Sequence, residues 1–275
     1  MHAIARATAV TLMTAALATA QDVPAELDKS RFSLLNPTPR DLWRPLSSDR
    51  PGFTENPYTV DAGAVQVELG FFDFVRNGDS ETWTIAPTNL RLGVLNNMDL
   101  QFKFTPYSIT DDGSRRREGV GDVELRLKLN IWGNDGSDAA VAFLPFMTFP
   151  TAADGLGVES VQGGFSLPFA TALTERIELG LMAQMDFVYN DVRSRYDTEF
   201  TGSGVFSFDV TDALGVYVEG VGIWSTDDGK DVQGIFSTGA TYGLTENLVL
   251  DVGLNVGLAG DADDLKIVTG LTVRF

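Results

Sequence analysis

The sequence predicts an all-β protein, a transmembrane, antiparallel, up-and-down β-barrel of about 12 strands of the bacterial outer-membrane type. Three observations lead there. Apolar and polar residues alternate with a period of two over most of the chain, the polar rows are rich in glycine and small residues, and short and long connections alternate between the segments.

The alternation is clearest near the end. Leu248, Leu250, Val252, Leu254, Val256 and Leu258 form an apolar row, with Asp251, Gly253, Asn255 and Gly257 between them. After an acidic loop at 260–264, Leu265, Ile267, Leu271, Val273 and Phe275 continue one face, and Lys266, Gly270, Thr272 and Arg274 the other. A soluble sandwich would carry a dense row of long charged side chains on its wet face. A barrel in lipid turns its apolar row outward and lines a lumen with the rest. An aromatic final residue, Phe275, is the expected contact for the barrel-assembly machinery.

At the other end, Arg6 precedes an apolar run at 7–17 and then Ala18-Thr19-Ala20. This predicts a signal peptide at 1–20, and with it export toward the Gram-negative cell outer membrane. The run is too short for a spanning helix, which needs about 20 apolar residues. Residues 21–63 carry Pro24, Pro37, Pro39, Pro45, Pro51 and Pro57 without sustained periodicity. They are read as a Pro-rich N-terminal periplasmic arm or as a plug folded back into the barrel. Exposed linker is the commoner fate of such a composition.

The barrel is assigned to 64–275, with strands expected at 65–74, 82–94, 98–107, 123–131, 139–149, 161–171, 177–188, 200–210, 215–224 and 234–242, followed by the final two. Each is near the roughly 9–11 residues that cross a bilayer at a tilt. In 123–131, Val123, Leu125, Leu127, Leu129 and Ile131 oppose Glu124, Arg126, Lys128 and Asn130, so leucine faces lipid and charge faces inward. Segment 82–94 changes phase near Pro87, which predicts a bulge or a break in the ladder. Tight turns follow at 93–100, 172–179, 210–214 and 243–250, and longer polar loops at 76–81, 108–119, 150–160, 189–197, 226–231 and 259–264. Outer-membrane barrels are wired this way, with short turns periplasmic and long loops outside.

Alternation directs Glu68, Arg91, Gln101, Lys103, Glu124, Arg126, Lys128, Glu178, Gln184, Asp186, Glu219, Asp251, Asn255 and Arg274 toward the lumen. Phe72, Phe74 and Tyr217 join them as candidates to guide an aromatic solute. A one-residue slip would invert any strand.

Composition narrows the chemistry. There is no Cys, and the one His, His2, lies in the predicted signal peptide. Thiolate metal sites and cysteine nucleophiles are excluded, and the histidine-dependent barrel hydrolases do not fit, so a non-enzyme without cofactor or metal is expected. The inward carboxylates are scattered over many strands and are expected to pair with the inward bases. Acidic loops at 227–231 and 261–264 lack the spacing of a calcium loop. A net charge of −18 disfavours nucleic acid as a partner. The expected partners are outer-membrane lipids and lipopolysaccharide, with Arg115, Arg116 and Arg117 in an outer loop, together with a small-molecule solute.

The run Asp49-Arg50-Pro51-Gly52-Phe53-Thr54-Glu55-Asn56-Pro57, then Gly63 and Val65-Gln66-Val67-Glu68-Leu69-Gly70, resembles the start of the family called putative MetA-pathway of phenol degradation. Asn89-Leu90-Arg91-Leu92-Gly93, the turn Gly243-Leu244-Thr245-Glu246-Asn247 and Leu250-Asp251-Val252-Gly253 are similar to later parts of it. The resemblance implies an outer-membrane barrel of transporter type and supplies no catalytic residue. The expected function is a passive channel for small, aromatic or hydrophobic solutes. The alternative is a closed structural or adhesion barrel whose outer loops bind a partner.

Overall fold

The computed structural model describes residues 28–275, in which fifteen strands form one antiparallel sheet that closes on itself. The strands are β1 (Val65–Asn77), β2 (Ser80–Ile85), β3 (Thr88–Leu95), β4 (Met98–Phe104), β5 (Tyr107–Asp111), β6 (Arg116–Gly119), β7 (Val123–Trp132) and β8 (Ala139–Phe149). They continue as β9 (Gln162–Thr174), β10 (Ile177–Asn190), β11 (Arg195–Asp209), β12 (Leu214–Ser225), β13 (Gln233–Thr245), β14 (Leu248–Ala259) and β15 (Leu265–Arg274). β15 pairs with β1 from Gln66↔Arg274 to Arg76↔Leu265, which leaves no open edge at the seam. The predicted signal peptide lies outside the described residues.

Fifteen strands make twelve staves, because three neighbouring staves are each broken in two: β2 with β3, β4 with β5, and β6 with β7. The breaks fall at Ala86-Pro87, Thr105-Pro106 and Val120–Asp122, at one level of the wall, since Ile85 pairs with Tyr107 and Phe104 with both Thr88 and Val123. Proline removes a ladder donor, and Ala86 adopts a positive φ of 53° beside it. The break expected near Pro87 is therefore one of three.

Two other expectations are corrected. The loop at 108–119 is largely a hairpin, β5 with β6, which pairs Ser108↔Gly119 through Asp111↔Arg116. The loop at 189–197 is mostly strand, because β10 and β11 stay paired out to Asn190↔Arg195. Both extensions carry few apolar residues, Tyr107 and Ile109 in the first and Tyr189 and Tyr196 in the second, too short a row for an apolar period to reveal them.

Burial is inverted relative to a soluble protein. Leu100, Phe102, Leu125, Leu181 and Val252 are exposed on the outer surface, while their neighbours Asp99, Gln101, Arg126, Lys128 and Asp251 are buried inside. At β1 the register shifts between Gly70 and Phe72. That extra residue turns Phe72 and Phe74 outward onto Trp83, at ring separations of 5.7 and 4.7 Å, and gives Asp73 the lumen side. The inward placement expected for Phe72 and Phe74 is thus reversed, while Tyr217 is buried inside with its hydroxyl 3.1 Å from Ser237 Oγ.

Residues 44–61 run inside the barrel, so the exposed arm favoured by composition is not what forms. A turn at Gly63, with φ of +81°, links this segment to β1. Gly63 N donates to the Gly93 carbonyl at 2.8 Å, and a Cβ at Gly93 would overlap the Asp61 carbonyl, so only glycine lets the segment lie against β3. An internal plug needs no apolar period, because its polar backbone is satisfied by wall side chains instead of a ladder.

This placement predicts protection from proteolysis. Chymotrypsin, which would cut after Phe53 and Tyr58 in an extended arm, should leave both intact in the folded barrel and cut them after heating. Cleavage at either residue in protein that still migrates as a folded barrel would place 44–61 outside.

Candidate functional site: the plugged lumen

Asp49 is the point at which the plug meets the greatest charge. Its carboxylate accepts from Lys128 Nζ at 2.8 and 2.9 Å and from Arg91 at 3.0 Å, and within the plug from Asn56 N at 3.1 Å. Arg91, on β3, is fully buried and also donates to Glu68 at 3.1 Å, Asp99 at 2.8 Å and the Tyr58 carbonyl at 2.9 Å. Lys128, on β7, donates further to the Asn56 carbonyl at 2.8 Å. Asp99 in turn accepts from Val60 N at 3.0 Å. Three acidic groups and two bases from the plug and four strands therefore satisfy one another out of water, as buried charges must.

The rest of the plug is fastened in the same manner. Arg50 reaches Asp251 on β14 through both Nε and a terminal nitrogen, at 3.0 to 3.2 Å. Glu219 on β12 accepts from Phe53 N at 3.0 Å and Thr54 N at 2.6 Å. Glu55 pairs with Arg126. Asn130 donates to the Pro57 carbonyl at 2.9 Å, and Asn134 pairs with the Thr59 hydroxyl at 2.7 Å. At the turn end Arg44 holds Asp61 and Asn96, and Asp61 lies 3.6 Å from Arg274. Gly70 and Gly270 face each other on paired strands, and side chains there would press on the Arg50 guanidinium. The glycine-rich inner row makes room for the plug.

What remains open is three chambers. A chamber of about 680 Å³ on the long-loop side is lined by Asp73, Lys103, Glu124, Gln184, Asp186 and Lys266 among others. A second, of about 680 Å³ on the turn side, is lined by Arg44, Asn134, Glu178, Asp209 and Arg274 among others. Between them lies a pocket of about 290 Å³ that shares Asp49 to Gly52 and Glu55 with the first, and Glu178, Asp209, Gly215 and Thr241 with the second.

The fourteen residues directed inward by alternation all lie on the lumen side. Glu68, Lys103, Glu124, Arg126, Gln184 and Asp186 line the loop-side chamber, Glu178 and Glu219 the middle pocket, and Arg274 the turn-side chamber. Arg91, Gln101, Lys128, Asp251 and Asn255 are buried behind or beside the plug. Lys103 lies 3.8 Å from Glu124, and Gln184 donates to Asp186 at 3.0 Å. Reasoning from alternation missed Asp49, Arg50, Glu55 and Asp61, the plug residues that give the wall charges their partners. Their sign in the sequence was the motif Asp49–Pro57, which carried the family resemblance but no indication of where it lies.

A twelve-stave barrel with outward apolar rows and a lumen narrowed by its own N-terminal segment is a fold of the outer-membrane channel class. The chain belongs to the family described as "Putative MetA-pathway of phenol degradation", whose model matches residues 48–275 and thus takes in the plug motif with the barrel. Among solved structures it is similar to the COG4313 outer membrane channel from Pseudomonas putida F1, with 13% identity, a TM-score of 0.63, and coverage of 83% of this chain and 100% of that one. It is also similar to the NanC porin, with 10% identity, a TM-score of 0.55, and 77% and 100% coverage. The KdgM porin, at 9% identity and a TM-score of 0.51 with 77% and 99% coverage, shares the fold as well. No curated protein matches the sequence.

Asp49→Asn tests the hub. It keeps the shape and removes the charge that Arg91 and Lys128 share, and breaking such a buried pair costs roughly 3–5 kcal/mol. The variant should unfold at clearly lower denaturant concentration, read by loss of the fast-migrating folded band on unheated gels. Unchanged stability would show that the hub is not sustained by charge.

Proposed function

We propose that this protein is a passive outer-membrane channel for small solutes, held to a narrow bore by residues 44–61. One observation carries the reading: the middle pocket shares wall residues with the turn-side chamber and plug residues with the loop-side one, which supports a route past the plug beside β10, β11 and β12. The turn end then faces the periplasm and the long-loop end the outside. The middle pocket sets Val205, Tyr217 and Pro51 beside polar groups, a mixed wall suited to small molecules with an apolar body. That supports aromatic or hydrophobic solutes of low mass as the cargo, in keeping with the family to which the chain belongs. A channel rather than an enzyme is supported by the commitment of Asp49, Asp61, Glu219 and Asp251 to fastening the plug.

The number of these fastenings favours one competing reading, a closed structural barrel. Planar-bilayer recording separates the two. The full protein should show a small, steady conductance, and Asp251→Ala combined with Glu219→Gln, which releases Arg50 and Thr54, should raise it several-fold. Silence from both proteins, each shown to be folded by heat-modifiable migration, would favour the structural barrel.

A further inference from the structure

The charge around the residual route is unbalanced. Twelve acidic residues and six basic ones line the three chambers. Counting the buried neighbours adds two bases, Arg91 and Lys128, and three acids, Asp61, Asp99 and Asp251, and so does not lessen the excess. The bases are also largely spoken for. Arg44, Arg50, Arg126 and Arg274 each lie against a carboxylate of the plug or wall, and Lys266 sits over the Phe53 ring at 5.6 Å.

The carboxylates are different. Among the described residues, the side-chain carboxylates of Asp73, Asp186, Glu178 and Asp209 lie within 4.0 Å of no basic nitrogen, yet they line the chambers from the loop side to the turn side. Asp186 receives only the Gln184 amide, and one oxygen of Asp73 is buried without a hydrogen-bond partner. A separate observation points the same way. Asn89, on the wall of the loop-side chamber, is 6% exposed and keeps its side-chain oxygen without a donor. An oxygen left so in a chamber rich in free carboxylates calls for a positive or donating guest.

We infer that the route past the plug selects for cations, and that its preferred cargo within the small-solute class carries a positive charge, as a protonated amine does. This rests on the channel reading and adds the charge of what passes. A narrow, low-dielectric passage concentrates the field of its fixed charges, so a few unpaired carboxylates dominate which ion enters. Free acids at both ends also give an entering cation successive partners along the route. An anionic solute would meet that excess at every step, with most of the bases already engaged.

The full protein in a planar bilayer under a potassium chloride gradient provides the test. The reversal potential should lie on the cation side, and tetramethylammonium should carry current where a comparably sized organic anion does not. Glu178→Gln with Asp209→Asn should lower the potassium-over-chloride permeability ratio by roughly threefold or more, and Glu178→Lys should move it further toward chloride. Asp73→Asn with Asp186→Asn, at the other end, supplies an independent pair should the first fail to fold. An unselective or anion-selective conductance in the wild type, or a ratio that none of these variants moves, would overturn the inference while leaving the channel intact. A folded protein with no conductance would overturn the channel reading and this one with it.

Discussion

The structure depends on the carboxylate of Asp49 lying between Arg91 and Lys128. Two fully buried cations on a barrel wall are costly unless an anion meets them, and the wall carboxylates Glu68 and Asp99 pair with Arg91, while Lys128 finds its carboxylates, Asp49 and Glu55, in the plug. The plug thus brings the anion for Lys128 from outside the barrel strands. Dependence runs both ways, because a peptide rich in proline cannot build a ladder of its own and has its amides and carbonyls satisfied by Glu219, Asp99, Asn130 and Asn134. Barrel and plug are one buried polar network. Such networks are stable when complete and poor when half made.

That network explains the inner face of the sheet. Glycine in a strand weakens it unless something approaches closely. Gly93 meets the Asp61 backbone, Gly270 the Arg50 guanidinium and Gly253 the Pro51 ring. The outer face follows a simpler rule, since lipid asks only for apolar side chains and a closed ladder. Two sets of constraints thus act on alternate residues of the same strands.

Those constraints decide what could be read from sequence. The outer rule leaves a period of two, so the strand positions, the twelve staves and the inward direction of residues such as Glu124, Arg126 and Lys128 were legible. Where strands rise toward the loops, as at Ser108–Asp111 and Tyr189–Asn190, apolar residues become too few to mark a period although the ladder continues. The bulge after Gly70 was invisible for another reason. Phe72 and Phe74 keep the alternation of the strand in sequence while one extra residue reverses it in space. The plug escaped because its partners lie far along the chain, as in the pairing of Arg50 with Asp251, and long-range charge complementarity has no local period.

The fastenings and the open route are not spread evenly round the barrel. The densest contacts to the plug come from β1, β3, β4 and β7, which supply Glu68, Arg91, Asp99, Arg126 and Lys128. On the opposite side the ties are fewer and centre on Thr54, whose hydroxyl lies 2.7 Å from Ser203 on β11 and 2.6 Å from Glu219 on β12. The charged fastenings are therefore concentrated on one side of the barrel, and the middle pocket lies on the other. A change to the first wall alters how firmly the plug is held, and a change to the second alters what can move beside it. This asymmetry lets a barrel of only twelve staves grip its plug on one side and still keep chambers at either end of it.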